Sequence, residues 1–510
     1  MSPLATGLRC SALMVVAAGA AHAQETDHGH VHPVPHAAAA AAEGTVEIDG
    51  RLGDAAWSAA VPMTDFRQWE PDEGAPATQR TEVRVLYDAG SLYIGARMYD
   101  TEGGAGVRSL LSRRDQIAGG DYVEFIFDTF HDHVGRTVFQ VSPSGVKVDA
   151  GQAEANADPA WDAVWDVATS IDGDGWVAEL RIPFSQLRYP ATPVQTWGMQ
   201  IWRWTERIAE ASMWSFWGRN DAGGANRFGH VQGIRVPDRR VALELMPYAV
   251  AKAEHLQATS DDNPFRAPTE LGWRVGGDLK AVLSSSLTLD LTVNPDFGQV
   301  EVDPAVVNLS QFETFFPERR PFFVAGSGLF GFGGFKCYTC SNVSSMSLFY
   351  SRRVGRAPQG GVRTAAHFVE SPNSTTILGA AKITGRTPGG LQIGVLNAVT
   401  GQATARALAP DGATFEQEVE PLTNYFVGRV KQNLRGGNLT VGGIATSLAR
   451  RFADDALRAE LPSSAIALGT DWSLMWRDRR YRFMGNLAYT QVDGEAVAIE
   501  RLQRAPQRGR

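Results

Sequence analysis

Cysteine is nearly missing from this chain, with three residues in 510. That scarcity excludes a disulfide framework as the source of its fold. Beyond the first two dozen residues there is no apolar run of ~18 or more, so no helical membrane anchor is available. Basic residues are outnumbered, 48 Lys and Arg against 56 Asp and Glu, for a net charge of −8. Without a basic stripe interleaved with aromatics, nucleic acid is not an expected partner. No Gly-rich phosphate loop opens a helix, and neither a serine nucleophile elbow nor a zinc-protease motif occurs. What remains is ordinary for folded protein, 44% hydrophobic and 20% charged, with room for two or three domains.

The first 23 residues carry Arg9, an apolar run over 12–20 and Ala21-His22-Ala23, the three parts of an export signal with cleavage after Ala23. Cys10 belongs to that segment. Cys337 and Cys340 are left as a candidate disulfide that an oxidising compartment could join. Residues 24–43 are rich in Ala, His and Pro, including His28, His30, His32 and His36, and read as a disordered tether. Neutral imidazoles in such a tract can hold zinc or copper, but no carboxylate or Cys pattern fixes a geometry.

Residues 44–236 hold ten of the thirteen tryptophans and alternating strands at 83–87, 92–99, 122–127, 176–182 and 197–204. This is a β-sandwich pattern, with Asp88-Ala89-Gly90-Ser91 closing a hairpin between the first two strands. From residue 237 to 510 the alternation continues with no long helical stretch between strands. Leu287, Leu289, Leu291 and Val293 face one way, and Thr288, Asp290, Thr292 and Asn294 the other. Lipid on one side and a watery lumen on the other require that pattern. Ten strands are expected there, at 241–250, 271–283, 287–294, 348–354, 377–383, 391–399, 425–431, 439–448, 466–476 and 481–490. A Phe- and Gly-rich insert at 295–347 is either a plug in the lumen or a large surface loop.

Two resemblances follow from quoted motifs. The run from Ile48 to Trp57 (IDGRLGDAAW), then Val83-Arg84-Val85-Leu86-Tyr87-Asp88 with Leu92-Tyr93-Ile94-Gly95, then Asp121-Tyr122-Val123-Glu124-Phe125-Ile126-Phe127-Asp128, resembles the family 9 carbohydrate-binding module. Asn294-Pro295-Asp296-Phe297-Gly298-Gln299-Val300-Glu301, the Phe312 to Phe323 run (FETFFPERRPFF) and Tyr350-Ser351-Arg352-Arg353-Val354-Gly355-Arg356 resemble the uncharacterised outer-membrane barrel domain of bacteria (DUF5916-like) that often follows it. The resemblance implies a mainly β protein, an N-terminal sandwich followed by an antiparallel outer-membrane β-barrel. It implies a sandwich that binds a polysaccharide or oligosaccharide, on the periplasmic or the surface side. In sugar-binding members of the module family an aromatic precedes the strand that here begins at Asp121. The matching positions are Ala118, Gly119 and Gly120, and the second stacking position, near residues 223–226, also lacks Trp and Tyr. Trp69, Trp161, Trp165, Trp214 and Trp217 are the substitutes, with Asp158, Asp162, Arg219 and Asn220 available for hydroxyls; packing is the competing role for each.

Other constellations have plainer readings. Asp121, Glu124 and Asp128 are not paired across a cleft at glycosidase spacing, so no catalytic residue is assigned. Hydrolysis of O-glycosyl bonds in carbohydrate catabolism is the alternative function, and a structural barrel without glycan ligand the other. His131-Asp132-His133 places two imidazoles near each other in a turn. No cofactor is expected, although Asp172-Gly173-Asp174-Gly175 offers hard oxygens for calcium within what reads as a hairpin turn. Arg319, Arg320, Arg352, Arg353 and Arg356, set against Asp296, Glu301, Asp303, Glu313 and Glu318, are expected to pin the insert inside the barrel by charge. The expected partners are outer-membrane lipid, a glycan-like ligand being bound or taken up, and the outer-membrane insertion machinery. That machinery reads a closing strand ending in an aromatic, and Ile499-Glu500-Arg501-Leu502-Gln503-Arg504 is not one, so the barrel is expected to be incomplete.

Overall fold

A computed structural model describes residues 8–16, 33–117, 119–133, 135–153, 161–190, 192–221, 223–236, 242–255, 263–265, 269–284, 287–295, 316, 318–333, 347–387, 389–477 and 479–504. Strand β1 (Leu8–Val16) pairs with the far end of the chain. The sandwich is built from β2 (His36–Ala38), β3 (Ala40–Ala41), β4 (Arg67–Glu70), β5 (Thr81–Tyr87), β6 (Ser91–Tyr99), β7 (Tyr122–Asp128), β8 (Arg136–Val141), β9 (Lys147–Ala153), β10 (Asp166–Asp172), β11 (Gly175–Pro183), β12 (Val194–Thr205), β13 (Glu210–Met213) and β14 (Gly229–Arg235). One sheet runs β10-β11-β6-β5-β3 and the other β2-β14-β12-β7-β8-β9, with β13 and β4 continuing beside β12. Alternate residues of each strand, among them Val83, Val85, Ile94, Val123, Phe125, Phe127, Phe139, Trp197 and Ile201, meet in one buried core.

The motif residues of the first half are structural anchors. Glu179, fully buried on β11, accepts hydrogen bonds from Asp49 N (3.0 Å), Gly50 N (3.1 Å) and Trp57 Nε1 (3.0 Å), fastening the first motif onto the sheet. Gly50 has φ +82°, and a Cβ there would meet the Thr169 backbone at 2.9 Å. Asp88 closes the hairpin by accepting from Gly90 N and Ser91 N, both at 2.7 Å. Arg203 crosses between the sheets, donating to the carbonyls of Arg80 (3.0 Å) and Tyr99 (2.7 Å). Burial pushes its guanidinium down to about 10, which leaves it charged at neutral pH.

Residues 33–43, expected within a tether, are instead part of the sandwich. β2 lies parallel to β14 and β3 parallel to β5. Ala39 N donates to Gln232 O (2.9 Å) and Ala42 N to Tyr87 O (2.8 Å). Alanine side chains lose no rotamer freedom on ordering, and here they are small enough to lie flat against two sheet edges.

The second half forms one large antiparallel sheet. Its strands are β15 (Ala242–His255), β16 (Thr269–Ser284), β17 (Leu287–Val293), β19 (Ile377–Arg386), β20 (Leu391–Thr400), β23 (Leu422–Leu434), β24 (Leu439–Arg451), β25 (Ser464–Trp476) and β26 (Tyr481–Gly494). Three shorter strands, β18 (Phe368–Glu370), β21 (Ala403–Leu408) and β22 (Thr414–Glu420), make a separate sheet that the sequence pattern did not reveal. The large sheet runs β1-β26-β25-β24-β23-β20-β19-β17-β16-β15, and among the described residues its two edges do not close on each other. β1, the apolar run read as an export signal, lies antiparallel to β26 with Leu8 opposite Gly494 and Val16 opposite Asn486. There it covers backbone groups that would otherwise form an open edge.

This sheet is inside out relative to a soluble one. Its outer face exposes Leu271 and Trp273 (82% each), Leu243, Phe426, Val430 and Leu468, while Thr288, Asp290, Lys382, Thr384 and Arg429 are buried on the inner face. The described part of the insert fills that inner face, as a plug rather than a surface loop. Helix α1 (Pro321–Val324) and the 3-10 turn Ser327–Phe330 bring Phe322, Phe323 and Phe330 against Leu396, Ala398, Val427 and Ile444. Gly394 and Gly469 leave room for them, since a Cβ would meet Phe330 at 3.0 Å and Phe332 at 2.6 Å.

Part of the charge set expected to pin the insert lies among the described residues. Arg320 pairs with Glu318 (2.7 Å), and both belong to the insert. Links that cross to the wall include Lys382, donating to the Phe322 and Ala325 carbonyls, the latter at 2.6 Å, and Asp471, which accepts from Gly333 N at 3.3 Å and pairs with Arg429. Asp296, Glu301, Asp303 and Glu313 lie outside the described residues. The strand expected at 348–354 is a 3-10 turn, Ser351–Arg353, because Arg320 takes the Ser351 and Val354 carbonyls that a ladder would need. The terminal residues form a helix, α3 (Ala496–Gln503), packed on helix α2 (Asp455–Glu460).

The two ends of the sheet differ. At one end β16–β17, β19–β20, β23–β24 and β25–β26 are joined by a few residues each, whereas the connections at the other end, such as 255–269, 293–377 and 400–422, are long. The sandwich sits at the short-turn end. Arg386 pairs with Asp132 and lies over the Phe130 ring, Arg188 Nη2 donates to Thr384 Oγ1 (3.2 Å), and Arg479 Nη1 to Asn226 Oδ1 (2.8 Å).

Candidate functional site

Alternation sends Trp197, Met199 and Ile201 of β12 into the core, so Trp202 stands on the opposite face of the sheet, in register with Glu124 of β7. On that face four rings form a row. Trp69 meets Trp202 edge to face at 5.6 Å, Trp202 meets Trp217 at 5.7 Å, and Trp217 stacks on Phe228 at 6.4 Å. The three tryptophans are half-buried, and Trp69 Nε1 is itself buried without a hydrogen-bond partner.

The loops that hold the row are clasped to each other. Arg219 donates from its backbone N and its Nε to Glu73, both at 3.0 Å, and from Nη2 to Pro71 O at 3.2 Å. Buried Gln200 accepts from Ser215 N (2.9 Å) and donates to Ser215 O (2.6 Å), which fixes the segment leading to Trp217. Arg219, expected to meet ligand, therefore serves first as the clasp between the Trp69 and Trp217 loops. Glu124 lies beside the row, and burial pushes its carboxyl up to about 7 against the opposing charge of Arg136. Tyr122, one alternation away, is shifted up by burial and by Glu124, Glu70 and Glu206. The arrangement offers apolar ring edges and faces beside a carboxyl group on one face of the sheet.

Of the residues chosen from sequence, the structure brings Trp69, Trp217 and Arg219 together and sends the other three into packing. Trp165 is 2% exposed and donates to Asp149 Oδ2 (2.9 Å). Trp161 packs on Phe139 and over Gly151, where a Cβ would meet it at 2.7 Å. Trp214 is buried beneath Gly229. Trp202 was missed; its signal is parity, since Trp202 and Trp204 fall on the strand face opposite Trp197. Where an aromatic was sought near residues 223–226, the Trp217 indole lies directly against Gly223, whose Cβ would meet Nε1 at 2.4 Å. Ala118, Cys337 and Cys340 lie outside the described residues.

The remaining candidates are engaged. Asp121 accepts from Glu206 N (2.8 Å) and Arg108 N (3.3 Å), and Asp128 from His133 N (2.7 Å). Asp172 receives both Arg97 Nη groups (2.5 and 2.7 Å) at the tight β10–β11 hairpin. Asp162 pairs with Arg114.

Sandwich, plug-filled sheet and aromatic row together define a two-part, mainly β protein with a candidate ligand-binding face on its first domain. Residues 48–232 match the family described as Carbohydrate family 9 binding domain-like. Residues 239–501 match the family described as Domain of unknown function (DUF5916). That second match spans more than half of the 510 residues, and the chain belongs to this family. Among solved structures the chain is similar to a family 9 carbohydrate-binding module from Caldicellulosiruptor kristjanssonii in complex with cellotriose, at 17% identity over 40% of this chain and 95% of that one, with a TM-score of 0.29. The same module in complex with glucose gives 17%, 40%, 97% and 0.29. A Bacteroides uniformis protein matches at 13% identity over 39% of this chain and 99% of that one, TM-score 0.33. No curated protein matches the chain.

Proposed function

We propose that this is an outer-membrane protein whose sandwich binds a glycan-like ligand, an oligosaccharide or polysaccharide, on the periplasmic side of its barrel domain and helps in its uptake. The observation that carries the binding role is the Trp69-Trp202-Trp217 row on the non-core face of a domain matching the family 9 binding modules. Sugar C–H faces gain apolar contact from such rings.

Placement in the membrane is supported by the apolar outer face and polar, plug-filled inner face of the large sheet. Its side is supported by the turns: outer-membrane barrels keep short turns on the periplasmic side and long loops outside, and the sandwich meets the short-turn end. The insertion machinery of the outer membrane is then a required partner. Binding without hydrolysis is favoured because Asp121 and Asp128, two of the three carboxylates considered for catalysis, are committed to backbone amides. The test is tryptophan fluorescence of the full chain titrated with glycans chosen from an array. Saturable binding that weakens at least tenfold, about 1.4 kcal/mol, in Trp69→Ala supports the reading. Binding unchanged in that variant contradicts it.

A further inference from the structure

The short-turn end of the large sheet is strongly basic. Two of its hairpins close through Arg435-Gly436-Gly437-Asn438 and Arg477-Asp478-Arg479-Arg480, and Arg482 follows on β26, five arginines against one aspartate. Arg479 ties the two turns together, its Nε donating to Asn438 Oδ1 (2.9 Å) and its Nη2 to Gly436 O (3.0 Å). Burial, then the like charges of Arg227 and Arg482, hold its guanidinium below the ordinary range. Among the described residues no carboxylate is paired with Arg435, Arg477, Arg479 or Arg480. Arg435, Arg477 and Arg480 are exposed.

The backbone of these turns makes the arginines conspicuous. Arg435, Arg477 and Arg479 stand at φ +54°, +50° and +64°. Glycine and asparagine enter that left-handed region at lower cost, so the turn shape itself does not call for arginine, and what arginine adds there is its charge. Beside the turns, on the apolar outer face, Trp476 and Tyr481 stack across the β25–β26 pair with centroids 5.6 Å apart and planes 15° from parallel. The Arg477 guanidinium lies 5.8 Å from the Tyr481 centroid. Alternation places Leu468 on the same face as Trp476, and Phe483 on the same face as Tyr481, both exposed.

We propose that this end of the sheet is a binding surface for anionic phospholipid, with Trp476 and Tyr481 at the level of the glycerol and Arg435, Arg477 and Arg480 on the headgroup phosphates. The inference rests on the membrane placement proposed above, and the short turns put the surface at the periplasmic leaflet. Apolar side chains, then amphipathic rings, then cations follow one another along the strand direction, the order in which a leaflet presents acyl chains, glycerol and headgroups. A guanidinium meets a phosphate with a planar fork of donors. Because these arginines have no carboxylate partners, a negatively charged headgroup is favoured over a zwitterionic one, each cation near the surface contributing about fivefold.

The test uses the full chain reconstituted into phosphatidylcholine vesicles that carry either brominated phosphatidylglycerol or brominated phosphatidylcholine at equal mole fraction. Tryptophan quenching compares the two lipids, and resistance to alkaline extraction reads insertion separately. The parent is compared with a neutral pair, Arg477→Asn with Arg480→Gln, in which Asn tolerates the positive φ, and with a charge-keeping pair, Arg477→Lys with Arg480→Lys. Near-UV circular dichroism confirms that each variant is folded. The expected result is a preference for phosphatidylglycerol of about fivefold or more in the parent, kept by the lysine pair and falling to near parity in the neutral pair. An inserted parent without that preference, or a preference that the neutral pair keeps, overturns the lipid surface and leaves the membrane placement standing. A parent that inserts into neither vesicle overturns both.

Discussion

Replacing Glu179 with alanine removes the acceptor for Trp57 Nε1 and for the amides of Asp49 and Gly50. Hydrogen bonds to a charged group contribute about 1.5–3 kcal/mol each, but the three do not simply add. Asp49 is exposed, so its amide turns to water, whereas Gly50 and Trp57 are buried and are left as orphaned donors at about 1–3 kcal/mol each. Against that loss stands the desolvation of the carboxylate, which pushes the Glu179 carboxyl above its ordinary range and disappears with the side chain. The net expectation is about 3 kcal/mol of destabilisation, which for a domain of this size lowers Tm by roughly 6–12 °C. Differential scanning of the full chain, following the sandwich transition, reads it. Trp57→Phe keeps the ring packing and loses one bond, for about 1 kcal/mol, and combining it with Glu179→Ala adds less than that, because the partner is already gone. A Glu179→Ala shift below about 2 °C would refute the idea that this carboxylate fastens the first motif to the sheet.

Three further outcomes are expected. The Glu124 carboxyl is raised by burial from 4.5 to about 7, so its contribution to stability is fully present below about pH 4.5 and is lost as pH rises through 7. Glu124→Gln then flattens the fall in stability between pH 5 and 8, by up to about 3 kcal/mol, and an unchanged pH profile contradicts the assignment. Lys382→Met removes the donor to the Phe322 and Ala325 carbonyls, and limited proteolysis in detergent should then cut between residues 318 and 333, where the parent resists; equal resistance counts against Lys382 as the plug's anchor. Trp165→Phe should cost about 1–2 kcal/mol of stability with glycan affinity intact. Trp69→Ala should do the reverse, and equal effects of the two on affinity would dissolve the distinction between core and site.

Much of the architecture is legible in alternation. Leu287 to Val293 reads directly as a strand with one lipid-like and one polar face, and nine of the ten expected strands of the second half are present. The exception, residues 348–354, has strand-like composition, but Arg320 captures two of its carbonyls, a long-range contact that no local pattern carries. For residues 33–43 the tether reading gives way for a related reason: their alanines are ordered by sheet edges contributed by β14 and β5. In the site, loop position alone chose the tryptophans. Trp161, Trp165 and Trp214 satisfy it yet fill the core, while Trp202 lies mid-strand and is recognised only by its parity against Trp197. The family motifs were visible because they are structural: Asp49, Gly50, Trp57 and Asp121 all serve Glu179 or loop amides, and none of them lies in the aromatic row.

The central claim is that the aromatic row on the sandwich is a glycan-binding face. The most direct measurement is binding of the full-length chain, and of a folded Trp69→Ala, Trp217→Ala double variant, to an immobilised glycan array, with tryptophan fluorescence titration of every hit. Saturable binding of the parent to at least one glycan class, and its loss in the double variant, is the expected result. A flat array from a folded parent, or hits that the double variant retains, would contradict it.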